Sequence, residues 1–292
     1  MTFAEWGAEA SRRLIAAGRD ERESRLDVRL LARLYLGWPM ALWITSLQEE
    51  APAEFVAALA PQIARRAQAE PIAYILGERE FFGRAFRVTP DVLIPRPETE
   101  FVVHEALECL WHERRDRGEP GAPLILDVGT GSGCIAITLA FECPSARVVA
   151  TDTSEGALAV ARDNARELGA ADRVTFLHGA LLAGWPDPID VIVSNPPYVA
   201  AADRGTLPDD VVRYEPATAL FGGDDGLDVI RALIPAAATA LTPGGWLVME
   251  IGMGQADDVQ RLIRDTPGLD LVRLRSDLQQ IPRVVVARRQ PG

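Results

Sequence analysis

The chain has 292 residues, 48% hydrophobic and 25% charged, enough for one large globular domain or for a mid-sized domain with a small companion. Its formal net charge of −12 is spread along the chain, which argues against duplex nucleic acid as a substrate because phosphate contacts need a basic surface. Cys109, Cys134 and Cys143 and His104, His112 and His178 show no metal-ligand spacing, and neither an apolar signal core in MTFAEWGAEASRR nor a membrane-length apolar run is present, so no metal, no membrane and a cytoplasmic location are expected.

Residues 1 to about 77 read as a small helical domain. Phe3, Trp6, Ala10, Leu14 and Ile15 recur at helical spacing, followed by Leu26, Val28, Leu30, Leu31, Leu34 and Leu36, and then by Phe55, Ala58, Leu59 and Ile63. Pro39, Pro52, Pro61 and Pro71 punctuate the segment, with Pro52 placed in a helix's first turn. Arg12, Arg13, Arg19, Arg65 and Arg66 leave a local basic face open here. The domain carries no catalytic signal, and docking or simple stability is the expected role.

Residues 78–96 change character. Glu80 to Val88 reads as a β-hairpin with Gly83 near its turn, and Pro90, Pro95 and Pro97 stiffen the passage into Glu98-Thr99-Glu100, the expected cap of a helix from Phe101 to about Arg117. The domain junction is placed here, with 97–292 as the larger domain. From 123 onward strands and helices alternate, as in a parallel sheet covered on both faces. The predicted strands are Pro123–Val128, Arg147–Thr151, Val174–His178, Ile189–Ser194, Gly245–Ile251, Leu269–Leu274 and Arg283–Ala287. Helices are expected from Cys134, Ser154, Asp225 and Gly254, with a weaker one within 200–215. Residues 199–224, rich in Asp, Gly and Pro, form a connection long enough to suggest function.

That connection follows Asn195-Pro196-Pro197-Tyr198, which sits at the carboxyl end of the apolar run Ile189–Val193, the edge where open α/β sheets bind ligands. Pro196 keeps Asn195 out of the helical region, and both prolines fix their own φ and lack an N–H. The stiff segment therefore offers carbonyl oxygens and one amide, a device suited to holding a planar –NH2 by its two hydrogens. Alone, it could be a Pro-rich turn. Upstream, Asp127-Val128-Gly129-Thr130-Gly131-Ser132-Gly133-Cys134 joins a strand to a helix start, with a spacing that misses the dinucleotide fingerprint. Its glycines let backbone approach a ligand, and its free N–H groups suit an anionic group. Asp152, ending the next strand, can take both hydroxyls of a ribose. Together these features point to a nucleoside ligand, S-adenosyl-L-methionine (SAM) more naturally than NAD. His178, alone at a strand end, reads as structural.

With these residues in view, the chain resembles the protein-(glutamine-N5) methyltransferases that modify peptide chain release factors, the PrmC/HemK family. The tetrapeptide is shared with adenine-N6 methyltransferases. More specific are Glu70-Pro71-Ile72-Ala73-Tyr74-Ile75-Leu76-Gly77, Arg79-Glu80-Phe81-Phe82-Gly83, Leu93-Ile94-Pro95-Arg96-Pro97-Glu98-Thr99-Glu100, Glu215-Pro216-Ala217-Thr218-Ala219-Leu220-Phe221 and Asp224-Asp225-Gly226. The sibling family acting on a large-subunit ribosomal protein carries a serine-containing variant of the Pro95-Arg96-Pro97 segment, so the release-factor branch is favoured. Two departures stand out. Gly179-Ala180-Leu181-Leu182 lacks the acid the family usually has near the adenine, and Asp277 to Arg283 lacks a glycine it often has.

The resemblance implies a class I SAM-dependent methyltransferase, Rossmann-like with a seven-stranded, mostly parallel sheet, a helical N-terminal domain and a hairpin linker. It implies Gly129, Thr130, Gly131, Ser132 and Gly133 around the methionine end of SAM, Asp152 on the ribose and Ala180 beside the adenine, with S-adenosyl-L-homocysteine as product. Asn195 and Pro196 would each accept one N–H of the substrate glutamine, Tyr198 would pack on the amide plane and Pro197 would lend rigidity. Arg96 and Glu100 are weaker candidates at the cofactor entrance. The expected partner is a release factor bound by a monomer, without direct nucleic-acid contact. Competing readings are the ribosomal-protein branch, an adenine-N6 methyltransferase on DNA or RNA, and a non-catalytic binding protein of the same fold.

Overall fold

The computed structural model describes residues 1–117 and 122–291, with the side chains of 112–117, His112 included, outside that description. The chain divides into two compact units, Met1–Gly77 with Pro208–Tyr214, and Glu78–Leu207 with Glu215–Gly292.

In the first unit, helices Phe3–Ala16, Glu21–Leu36, Met40–Thr45, Ala53–Ala67 and Ile72–Leu76 are joined by the short helix Asp209–Tyr214. Thr2 and Glu5 close a reciprocal capping box on the first helix. Phe3, Trp6, Leu14, Leu31, Phe55, Leu59 and Ile63 form the core. The second helix buries Val28 and Leu31 of its predicted apolar set, with the stripe turned so that Ser24 and Asp27 join them. Leu26 and Leu34 are exposed, while Ser24, Asp27, Val28, Leu31 and Ala32 are buried. The reason is Arg66, itself buried, whose Nε lies 2.6 Å from an Asp27 carboxylate oxygen. Burial pushes the Asp27 carboxyl above its usual range despite that guanidinium. Asp210 of the short helix comes within 4.0 Å of Arg66, and the Tyr214 hydroxyl donates to the Gln68 carbonyl. Helix Ala53–Ala67 continues through Pro61, its face anchored on both sides by buried Phe55, Leu59 and Ile63. Pro52 caps it, one residue before the predicted first turn.

The second unit opens with the antiparallel hairpin β1 (Glu78–Phe81) and β2 (Arg84–Arg87). A 3-10 turn, Pro97–Thr99, then leads into helix Glu100–Arg117. The large sheet comprises β3 (Leu124–Val128), β4 (Arg147–Asp152), β5 (Val174–His178), β6 (Ile189–Ser194), β7 (Leu241–Glu250), β8 (Leu269–Ser276) and β9 (Pro282–Arg289). Its order is β5-β4-β3-β6-β7-β9-β8. The strands from β5 through β7 run parallel, and β9 and β8 close the edge antiparallel. This is the expected seven-stranded, mostly parallel α/β sheet.

Every residue of β3 is buried, as a strand covered on both faces requires. Ile125 packs into one apolar cluster with helix Cys134–Glu142. Leu124, Leu126 and Val128 point into the other, with helix Asp228–Ala240. Among the described residues no helix is long and apolar enough to cross a membrane.

The β8–β9 turn is pinned by its own acid. One Asp277 carboxylate oxygen accepts the Gln279 and Ile281 N–H groups at 2.8 and 3.0 Å, and the other accepts Arg283 Nε at 2.8 Å. Within that frame Gln280 is held at φ +63°, a left-handed conformation that costs an L-residue about 1–2 kcal/mol. Glycine would remove this strain at the expense of extra freedom in the unfolded chain. Gln280→Gly should therefore stabilise the protein by about 0.5–1 kcal/mol, seen as a rise in melting temperature; a fall would show that the turn is unstrained.

Candidate active site

The chain leaves β3 toward β4 and β5 on one side and returns to β6 and β7 on the other, so β3 and β6 flank the point where strand order reverses. Val128 is paired with Ser194 and with Thr151. The Gly-rich turn after β3, the tetrapeptide after β6 and the acid ending β4 thus emerge side by side at the carboxyl edge, where such sheets open a crevice. A cleft of about 460 Å³ lies there, within the usual size of a small-molecule site, about 300–1,000 Å³.

Gly129, Thr130, Gly131 and Ser132 line the cleft on one side. Gly129, Gly131 and Gly133 have φ of +74°, +54° and +82°, which side chains would strain. The Gly129 and Thr130 N–H groups are held by the Thr151 carbonyl at 2.9 Å. Beneath the turn, Asp127 is fully buried and accepts from the Thr130 hydroxyl at 2.6 Å and the Ala136 N–H at 3.2 Å. Burial pushes its carboxyl up to about 7. Asp152 lines the cleft and takes the Gly131 N–H on one oxygen and the Ser154 N–H on the other, each at 2.9 Å. A carboxylate has about four lone-pair sites, so two remain for a ligand's hydroxyls. Gly179, Ala180 and Leu181 form a wall without an acidic side chain, and the Leu181 carbonyl is fixed by the Thr151 hydroxyl at 2.7 Å.

Opposite, Asn195 and Pro197 line the cleft. Asn195 Nδ2 donates to Thr99 Oγ1 at 3.0 Å, and the Thr99 hydroxyl donates to Glu250 at 2.7 Å. The Tyr198 hydroxyl donates to the other Glu250 oxygen at 3.0 Å. Glu250 is 1% exposed, and burial pushes its carboxyl up to about 7. Among the described residues no group donates to Asn195 Oδ1 or to the Pro196 carbonyl. The tetrapeptide's backbone is braced from below by the connection that follows it. Val199 N–H donates to Leu220, Gly222 N–H returns to Val199, and Gln255 Nε2 donates to the Tyr198 carbonyl at 2.9 Å. Gly222 and Gly226 make this possible, because a Cβ on either would collide with the Pro197 or the Tyr198 carbonyl oxygen.

Of the residues singled out from sequence, the cleft gathers Gly129, Thr130, Gly131, Ser132, Asp152, Ala180, Asn195 and Pro197. Gly133 stands behind them as the cap of helix Cys134–Glu142, Pro196 is buried, and Tyr198 turns its hydroxyl to Glu250. Arg96 lines the cleft and pairs with buried Glu215. Glu100 does not line it, because its carboxylate is taken by the Phe82 N–H in the hairpin turn. His178 is half-exposed and bonded to the Thr153 carbonyl at 3.0 Å. Thr99, Glu250 and Gln255 join the site without being assigned to it by the sequence pattern. Thr99 lies in the Pro97-Glu98-Thr99-Glu100 run, there read as a helix cap, and Glu250, an acid ending an apolar strand, carries the one local signal of the three.

Residues 118–213 match the Methyltransferase small domain family and 5–77 the PrmC N-terminal domain family. The chain is 42% identical to the release factor glutamine methyltransferase of Bradyrhizobium diazoefficiens, over 97% of this chain and 95% of that one. It is 44% identical to that of Geobacter sulfurreducens, over 91% and 89%. The fold is similar to the crystal structure of a methyltransferase from Pyrococcus furiosus, with a TM-score of 0.52, 18% identity, and 79% and 99% of the two chains covered. The architecture is that of the class I SAM-dependent methyltransferases.

Gly226→Ala should displace the Tyr198 carbonyl and, with it, the tetrapeptide. Methyl transfer should fall about a hundredfold, the scale expected of an ångström-sized displacement, while the melting temperature reports folding. Wild-type turnover would show that the connection does not hold the tetrapeptide in place.

Proposed function

This chain belongs to the release factor glutamine methyltransferases, and we propose that it transfers the methyl group of SAM to the side-chain amide nitrogen of the glutamine in the Gly-Gly-Gln motif of peptide chain release factors. The observation that carries this reading is the position of Asn195, on the same cleft as Gly129 to Ser132 and Asp152, with no donor to its side-chain oxygen among the described residues. In the finer reading, the helical domain 1–77 docks the protein substrate, the hairpin 78–96 links it to the catalytic domain 97–292, and a monomer works in the cytoplasm.

The lining fits SAM. The Gly129–Gly133 turn brings backbone close to the cleft without side chains in the way, Asp152 keeps two lone-pair sites for ribose hydroxyls, and Gly179, Ala180 and Leu181 offer an apolar face for the adenine. When bound, SAM supplies an electrophilic methyl on a positively charged sulfur. The nucleophile is a poor one, because an amide nitrogen shares its lone pair with its carbonyl. Asn195 Oδ1 and the Pro196 carbonyl each accept one of its N–H groups, draw electron density onto nitrogen and fix its direction of approach. Pro196 and Pro197 keep those acceptors rigid, and orientation of this kind supplies roughly 7–11 kcal/mol in favourable cases. Neither acceptor is a base at neutral pH, so the displaced proton leaves to solvent. Tyr198 stiffens the far end of the segment through Glu250.

The test is a transfer assay with labelled SAM, in which release factor, large-subunit ribosomal protein and an adenine-containing duplex are offered in parallel and the labelled residue is located by mass spectrometry. Label is expected on the release factor's Gly-Gly-Gln glutamine. Label on the ribosomal protein or on adenine instead would reject the substrate. Asn195→Ala should lose transfer to below about one hundredth of wild type while SAM binds within a few-fold of wild-type affinity. Normal turnover by that variant would reject the mechanism.

A further inference from the structure

We propose that Glu250, acting through Thr99, is the positioning residue that sets which way round the Asn195 amide is held. The proposal rests on Asn195 being the acceptor for the substrate amide, and it concerns a side chain that does not itself line the cleft.

The two ends of a primary amide are nearly equal in size, so packing alone does not choose between them; hydrogen-bond polarity does. An ionised carboxylate can only accept. Glu250 therefore obliges the Thr99 hydroxyl to donate to it, over 2.7 Å, and leaves Thr99 Oγ1 with lone pairs alone toward Asn195. Asn195 must answer with its NH2, over 3.0 Å, and its Oδ1 is turned the other way. The same carboxylate takes the Tyr198 hydroxyl on its second oxygen, so one buried charge sets both ends of the tetrapeptide.

A neutral group at the position of Glu250 lifts the obligation. A protonated carboxyl or a glutamine amide can donate to Thr99, which frees the Thr99 hydroxyl to donate to Asn195. The amide can then reverse and present an N–H where the substrate also brings one. Around Glu250 stand Glu98 of the 3-10 turn, Arg283 of β9 and the Tyr198 hydroxyl, and Tyr198 in turn faces Arg96 and Arg283. Burial dominates, pushing the carboxyl up to about 7, so the charge is lost as pH falls through neutrality. The folded-state value lies above the unfolded one. Between them folding takes up a proton, and stability from this group is lost as pH rises through the window. At pH 8 the ionised form carries the burial cost, which a glutamine would remove.

The experiment compares Glu250→Gln, Thr99→Val and Thr99→Ser with wild type, using release factor and labelled SAM. At pH 8, Glu250→Gln and Thr99→Val should lose about a hundredfold in kcat, with SAM affinity held within about threefold, and Thr99→Ser should stay near wild type. Glu250→Gln should melt no lower than wild type, and the fall of wild-type kcat below neutral pH should be absent from it. A second readout needs no substrate: the Asn195 side-chain NH2 signals in ¹⁵N-labelled protein should shift between pH 8 and pH 6 in wild type and stay put in Glu250→Gln. Unchanged kcat in Glu250→Gln, or a loss accompanied by lower melting temperature and weaker SAM binding, would overturn the proposal. If wild type leaves the release factor unmodified, the substrate reading fails by itself. The NH2 shift then decides: present, it upholds the positioning role; absent, it overturns it.

Discussion

The pairing of β3 with β6 is the constraint on which the site depends. Ile125 lies against Val191 and Val128 against Ser194, in strands buried on both faces whose apolar runs leave no other stable register. A slip by one residue would exchange the two apolar clusters on which the sheet rests. Because the chain departs in opposite directions from these strands, their carboxyl ends cannot be bridged by a common crossover, and the crevice between them stays open. The Ser194 hydroxyl ties the two ends directly by donating to the Val128 carbonyl at 2.8 Å.

Both loops that leave this point are seated on a buried acid. Asp127 holds the Gly-rich turn through Thr130 and Ala136, and Glu250 holds the tetrapeptide through Thr99 and Tyr198. Burial raises both carboxyls to about 7. Buried acids are expensive to retain unless they are hydrogen-bonded, and their partners here are the segments that form the cleft walls. Asp152 works differently. It lies on the cleft itself, held by two backbone N–H groups, with capacity left over for a ligand.

Much of this was legible in local pattern. The Gly-rich turn, the strand-end Asp152 and the tetrapeptide declare themselves through backbone preferences that act over a few residues. The alternation of strands and helices declared the sheet. The helical unit was less readable. The apolar pattern of Glu21–Leu36 gave the buried Val28 and Leu31, but the face also takes in Ser24 and Asp27 and leaves Leu26 and Leu34 outside, because a charged partner arrives from a helix about forty residues later. Nothing in the composition of 199–224 marks Pro208–Tyr214 as part of that helical unit.

The sequence by itself determined the class of sheet, the place of the cleft and the Gly-rich turn that lines it, since each follows from short-range sterics and the period of apolar residues. Only the tertiary structure decided how the site is held. Thr99 and Glu250 are 151 positions apart, and Asn195 lies 96 from Thr99. A threonine and a glutamate at such separations look ordinary in a sequence. They become a directed chain of hydrogen bonds only when folding takes water away from the carboxylate, so that its charge must be satisfied by the few donors the fold has brought beside it.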